Sequence, residues 1–96
     1  MGASEFTHIA KGKTAREAFT SARESAQYNC GHSGYTGTIA EKDTFVKIEV
    51  PEGQNAREYA KQLLEKDDER ISDKWGPAGC IKVKEGEYLF FGWASS

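Results

Sequence analysis

Cysteine and proline are scarce, with two of each in 96 residues. Two thiols, Cys30 and Cys80, do not make a disulfide-stapled secreted scaffold. So few prolines argue against a disordered, proline-rich chain. No apolar run approaches the ~20 residues that cross a bilayer. The stretch from Met1 to Phe6 lacks the basic and apolar regions of a secretory signal, and Thr7 stands where an acylation signal needs an earlier hydroxyl. Neither sign of charge dominates: 13 basic residues face 15 acidic ones, for a net charge of −2. A broad nucleic-acid-binding surface is therefore not implied. What remains is an ordinary globular composition, 38% hydrophobic and 29% charged. A chain of this length buries roughly 60–65% of its unfolded surface, enough for one independent core. One domain over 1–96 is expected, in a reduced, cytoplasmic setting.

The Cys30-Gly31-His32 step invites a metal reading. Zinc takes four ligands, however, and only His8 and Cys80 remain as partners, far off in sequence. Neither a metal nor a cofactor is expected.

The most informative feature is internal. Gly12-Lys13-Thr14-Ala15-Arg16-Glu17 matches Gly53-Gln54-Asn55-Ala56-Arg57-Glu58, 41 residues on from Gly12 to Gly53. The string from Gly34 to Lys42 matches that from Gly76 to Lys84, 42 residues on. Two ordered blocks at nearly one period predict a duplicated unit, with pseudo-repeats over 5–42 and 46–84 and a terminal strand over 87–95. Thr14 and Asn55 read as helix N-caps, with Glu17 and Glu58 at capping-box spacing. Gly12 and Gly53 permit the turn from strand to helix. Helices are predicted from about Thr14 to Asn29 and from about Asn55 to Ile71, each with an apolar stripe at helical spacing.

Extended runs fill the rest: Glu5–Ala10, Thr36–Lys42, Thr44–Val50, Ala78–Lys84 and Glu87–Ser95. Lys84 to Glu87 reads as a hairpin turn, and Glu41 to Thr44 as a second connection between strands. The predicted order, β-α-β-β-α-β-β, is an α+β fold: a ferredoxin-like duplicated β-α-β with one strand added. The expected sheet is antiparallel, in the order 2-3-1-4-5, with both helices on one face. Alternation assigns the side chains. Ile9, Ile39, Val46, Ile48, Val50, Ile81, Val83, Leu89, Phe91 and Trp93 are to face the helices. Phe6, His8, Phe45, Lys47, Cys80, Tyr88 and Phe90 are to face the other way. That second face is too apolar for open solvent. Phe6, Phe45, Tyr88 and Phe90 are therefore expected to form the interface of a homodimer.

Three places carry candidate chemistry. Lys11-Gly12-Lys13-Thr14 follows a strand and opens a helix, as a phosphate-binding loop does. Thr7 stands where the full motif needs glycine, which leaves only free amides and two lysines that can hold an anion. The second place is Gly31-His32-Ser33-Gly34-Tyr35-Thr36-Gly37, matched by Trp75-Gly76-Pro77-Ala78-Gly79. Such loops present backbone amides to a ligand, while Tyr35 and Trp75 offer flat stacking surfaces. Glycines that merely end a helix and start a strand are the competing explanation. The third is the aromatic face, which can stack nucleic-acid bases. The strand from Thr44 to Val50, though, lacks the RNA-binding pattern. His32 beside Ser33 or Cys30 does not define a triad, so no catalytic residue is assigned.

The strings Gly34–Lys42 and Asp73–Gly79 resemble those of small uncharacterised proteins of bacteria and their phages, over most of the chain. The resemblance implies a stand-alone cytoplasmic protein and no particular activity. The expected function is a small non-enzymatic binding protein. A small anionic or nucleotide-like ligand is expected at Gly34, Tyr35, Thr36, Gly37, His32, Trp75, Gly76 and Gly79. The alternatives are a single-stranded nucleic-acid module and a small hydrolase using His32.

Overall fold

The structure, a computed structural model, describes residues 3–30, 39, 42–72 and 76–95. Six elements follow in order: β1 (Ala3–Lys11), α1 (Ala15–Cys30), β2 (Phe45–Lys47), α2 (Ala56–Lys66), β3 (Ala78–Lys84) and β4 (Glu87–Ser95). The four strands make one sheet in the order β1-β4-β3-β2. Both β1 and β3 pair antiparallel with β4, whereas β2 pairs parallel with β3. The fold is α+β, and its sheet is mixed. The expected antiparallel sheet in 2-3-1-4-5 order is corrected on both counts. Parallel neighbours need a long crossover, which α2 supplies between β2 and β3.

Both helices start at their expected caps. Thr14 Oγ1 accepts the Glu17 N–H at 3.2 Å, and Glu17 Oε2 accepts the Lys13 N–H at 3.0 Å. Asn55 Oδ1 accepts the N–H groups of Arg57 and Glu58 at 2.9 and 3.3 Å. The glycines ahead of the caps serve different ends. Gly53 has φ of 87° and makes a turn. At Gly12 an added Cβ would lie 2.6 Å from the Ala18 backbone nitrogen, so this glycine provides room.

The second helix stops at Lys66, short of the predicted Ile71. Asp67 turns left-handed at φ 56°, the Asp67 N–H reaches Leu64 O, and the Asp68 N–H reaches Leu63 O at 3.0 Å. These two bonds close the last helical turn. An aspartate holds the position that glycine usually takes, so the sequence carries no glycine stop signal there.

The two side-chain sets largely follow the alternation. One cluster joins Ile48, Ile81, Leu89 and Phe91 to Ala60, Leu63 and Leu64 of α2, with Ile9, Val46, Val50 and Trp93 packed against it. The other joins Phe6, Cys80, Tyr88 and Phe90 to Ala18, Phe19 and Ala22 of α1, with Phe45 against it. The helices therefore cover opposite faces, and the expectation of two helices on one face is corrected. The duplicated unit fails at its second block. Ile39 packs beneath α1, whereas its counterpart Ile81 packs beneath α2. Of the predicted strand Thr36–Lys42, only Ile39 and Lys42 are described, and they form a turn closed by Lys42 N–H to Ile39 O at 2.9 Å. Val83 was expected in the core and is 37% exposed.

Candidate functional site

Since β1, β2 and β3 run the same way, their starts gather at one end of the sheet and their finishes at the other. At the first lie the starts of β2 and β3, each preceded by a glycine-rich segment. Lys42 Nζ donates to the Gly76 carbonyl at 3.0 Å, across 34 residues of chain. Two residues further along both segments, the Ala78 N–H donates to Thr44 O at 3.0 Å. Phe45 then pairs with Ala78 as the parallel ladder begins. The segments leaving both loops thus run side by side. Lys42 is 1% exposed, and burying an ammonium demands acceptors. The Gly76 carbonyl supplies one.

Of the predicted ligand residues, His32, Gly34, Tyr35, Thr36, Gly37 and Trp75 lie outside the described residues. Gly76 sits at this end as the acceptor for Lys42. Gly79 lies within β3, opposite Phe91. A Cβ there would meet the Phe91 ring at 2.6 Å. Gly79 is a seat for that ring, inside the fold rather than in a loop.

At the other end stand the starts of both helices and the Glu85-Gly86 turn between β3 and β4. The Gly12 N–H donates to Gly86 O at 3.1 Å. Lys11, Lys13, Glu17 and Glu85 line an open cavity of about 550 Å³ beside that bond. Two carboxylates offset the two lysines. The Glu17 carboxylate already occupies the start of α1, the place where free amides could otherwise have held an external anion.

The aromatic face is not open. Phe90 is fully buried, Phe6 and Tyr88 nearly so, and Phe45 is half-buried. Phe19 of α1 reaches into this layer, with ring centroids 5.0 Å from Phe45 and 5.5 Å from Phe90; Phe45 and Phe90 stand 5.8 Å apart. The four side chains expected at a dimer contact are thus core residues beneath a helix of their own chain. Bases cannot stack on them without displacing α1. Burial also pushes the Cys80 thiol up to about 11, against a smaller opposing pull from Lys47.

One surface escaped the sequence reading. The helix α2 leaves part of the β1 face uncovered. Between them lie two cavities, of about 230 Å³ over Glu5, Thr7 and Leu64, and about 420 Å³ over Ile9, Ala56 and Val83. Arg57 lines both cavities, and Lys61, one turn further on, lines the smaller. Arg57 stood out in the sequence only as part of the repeated block Gly53–Glu58. Its spacing to Lys61 was the available signal, but helical spacing does not say which strand lies opposite.

Among the described residues no helix is long and apolar enough to cross a membrane. No protein-family model, no curated protein and no solved structure matches the chain.

Proposed function

We propose that the chain is a small non-enzymatic binding protein of the cytoplasm. Its ligand is a small anionic or nucleotide-like molecule held where the two glycine-rich loops approach the sheet. The observation that carries this reading is the bond from Lys42 Nζ to Gly76 O. It ties the exits of both loops to adjacent strands, and loops set on a rigid scaffold are the usual carriers of binding residues. His32, Tyr35 and Trp75 supply a hydrogen-bonding group and two stacking surfaces within these loops.

The test is a titration with inorganic phosphate and with adenosine and guanosine monophosphates, followed by calorimetry and by amide shifts. Binding of a nucleotide is expected to weaken about tenfold in Trp75→Ala, since one stacked ring contributes ~1–3 kcal/mol. Absence of binding to the whole panel, or an affinity unchanged from the unsubstituted protein in both Trp75→Ala and Tyr35→Ala, overturns the proposal. The alternative, a single-stranded nucleic-acid module, has less support because α1 packs over the aromatic residues. A hydrolase using His32 would turn over a substrate in a broad ester and phosphoester screen and lose that turnover in His32→Ala.

A further inference from the structure

We infer that the outer edge of β1 joins two copies of this chain, antiparallel, about a two-fold axis at Thr7. This inference is independent of the loops. Among the described residues β1 pairs only with β4, which leaves its other side a sheet edge. The Gly12 N–H bond to Gly86 O fixes which backbone groups that edge presents. In an antiparallel ladder, residues that bond the partner strand alternate with residues that point away from it. Gly12 points toward β4, so Ala10, His8 and Phe6 do as well. Glu5, Thr7 and Ile9 therefore direct their N–H and C=O groups outward.

The sheet's two edges are treated differently. Natural proteins blunt an edge by shortness, charge, proline or a bulge. At the β2 edge the strand has three residues, and Glu49 and Pro51 follow soon after. At the β1 edge the strand has nine residues, no proline, and an unbroken register with β4.

The sequence of β1 favours its own copy as the occupant. A two-fold axis at Thr7 overlaps the full strand and sets outward-pointing residues against outward-pointing residues. Thr7 then meets Thr7 of the second copy, a favourable cross-strand pair. Glu5 meets Ile9, and Lys11 of the second copy lies diagonal to Glu5, with opposite charge. No like charges stand directly opposed. Glu5 of the second copy also comes beside the Ile9 cavity, whose wall carries Arg57. The contact is isologous, as a closed dimer requires.

The experiment is sedimentation velocity over a concentration series up to millimolar protein, with residue-resolved amide exchange on the same samples. A reversible dimer is expected. The Glu5, Thr7 and Ile9 amides should gain protection as the dimer fills, whereas the Phe6 and His8 amides should be protected throughout. Thr7→Lys sets two cations against each other on an exposed position, and Thr7→Pro removes an outward N–H that β4 does not use. Each should weaken dimerisation at least tenfold and keep the native circular dichroism; Thr7→Lys serves if the proline variant does not fold. A protein monomeric at every concentration, or a dimer that survives Thr7→Lys with unchanged affinity, overturns the inference.

Discussion

The two faces of the sheet are covered by helices of opposite character. On the aromatic face the strands supply the bulk, through Phe6, Phe45, Tyr88 and Phe90, and α1 supplies mostly alanine. On the other face α2 brings Leu63 and Leu64 to Ile48, Ile81, Leu89 and Phe91, so strand and helix both supply bulk. The first interface sets large rings against small side chains, and the second sets large side chains on both partners. Small side chains let α1 lie close to a layer already full of rings. Phe19 is the exception, and it inserts between Phe45 and Phe90. The difference shows how one sheet carries two helices of different length and composition, 16 residues against 11.

If the strands supply most of the bulk on the aromatic face and share it with the helix on the other, truncation should be most damaging in a strand on the aromatic face. Phe90→Ala removes a fully buried ring from a three-ring cluster and should cost ~3–5 kcal/mol in urea unfolding, against ~2–5 for Leu64→Ala on α2. A Phe90→Ala cost well below that of Leu64→Ala would show that α1 contributes more bulk than its alanines suggest.

Enlargement should have the reverse sensitivity. Ala22→Leu places a large side chain where α1 approaches the rings and should cost ~1–3 kcal/mol. Leu63→Met on α2 conserves volume and should cost less than about 1.5 kcal/mol. Gly79→Ala belongs with the enlargements, because the new methyl group must move the buried Phe91 ring; it too should cost ~1–3 kcal/mol. Thermal denaturation of the three variants ranks them directly. A neutral Gly79→Ala would mean that the ring has room to tilt.

The aromatic face also carries a pH signature that the other face lacks. The Cys80 thiol is raised from 9.0 to about 11 by burial. Below pH 9 it is protonated in both the folded and unfolded chains, and its contribution is complete. As pH rises past 9 the unfolded thiol ionises first, so stability falls until the folded thiol titrates near 11. At ~1.4 kcal/mol per pH unit, reduced by solvent screening, the total is on the order of 1–2 kcal/mol. Cys80→Ala should remove that part of the alkaline slope, and native Cys80 should resist alkylation at pH 8 until the chain unfolds.

The smallest effect lies beyond the end of α2. Asp68 accepts the Arg70 N–H at 3.0 Å and the Arg70 guanidinium at 2.9 Å, which holds its carboxyl below the usual range. The depressed value adds stability above about pH 4 that is lost as pH falls through the folded value. Because the pair is partly exposed, Asp68→Asn should cost well under ~1 kcal/mol in a pH-resolved melt.

Much of the local structure was legible from residue types. Thr14 and Asn55 announced helix starts because a short polar side chain satisfies the first free amides. The Lys84 to Glu87 turn joined β3 to β4 as expected, with Gly86 at φ 78°. Alternation separated Phe6, Cys80, Tyr88 and Phe90 from Ile81, Leu89 and Phe91. The repeat misled because its first block encodes only a helix start, which any two helices can share. Its second block matched Ile39 to Ile81 by letter, and the two sit on opposite faces. The candidate ligand residues were chosen by loop chemistry. Of these, Gly79 was claimed by Phe91, an overlap between strands that no spacing along one segment reveals.

Residue order alone settled where each helix starts, which strand residues share a face, and that both faces need cover. These are properties of neighbours along the chain, set by amide capping and the two-residue pleat. The fold alone decided which helix lies on which face, that β2 joins β3 in parallel, and that β1 ends the strand order among the described residues. An apolar stripe must be buried, but the stripe does not specify its partner. That choice falls to shape, as the small side chains of α1 settle over large rings and the leucines of α2 over Ile48, Ile81 and Phe91.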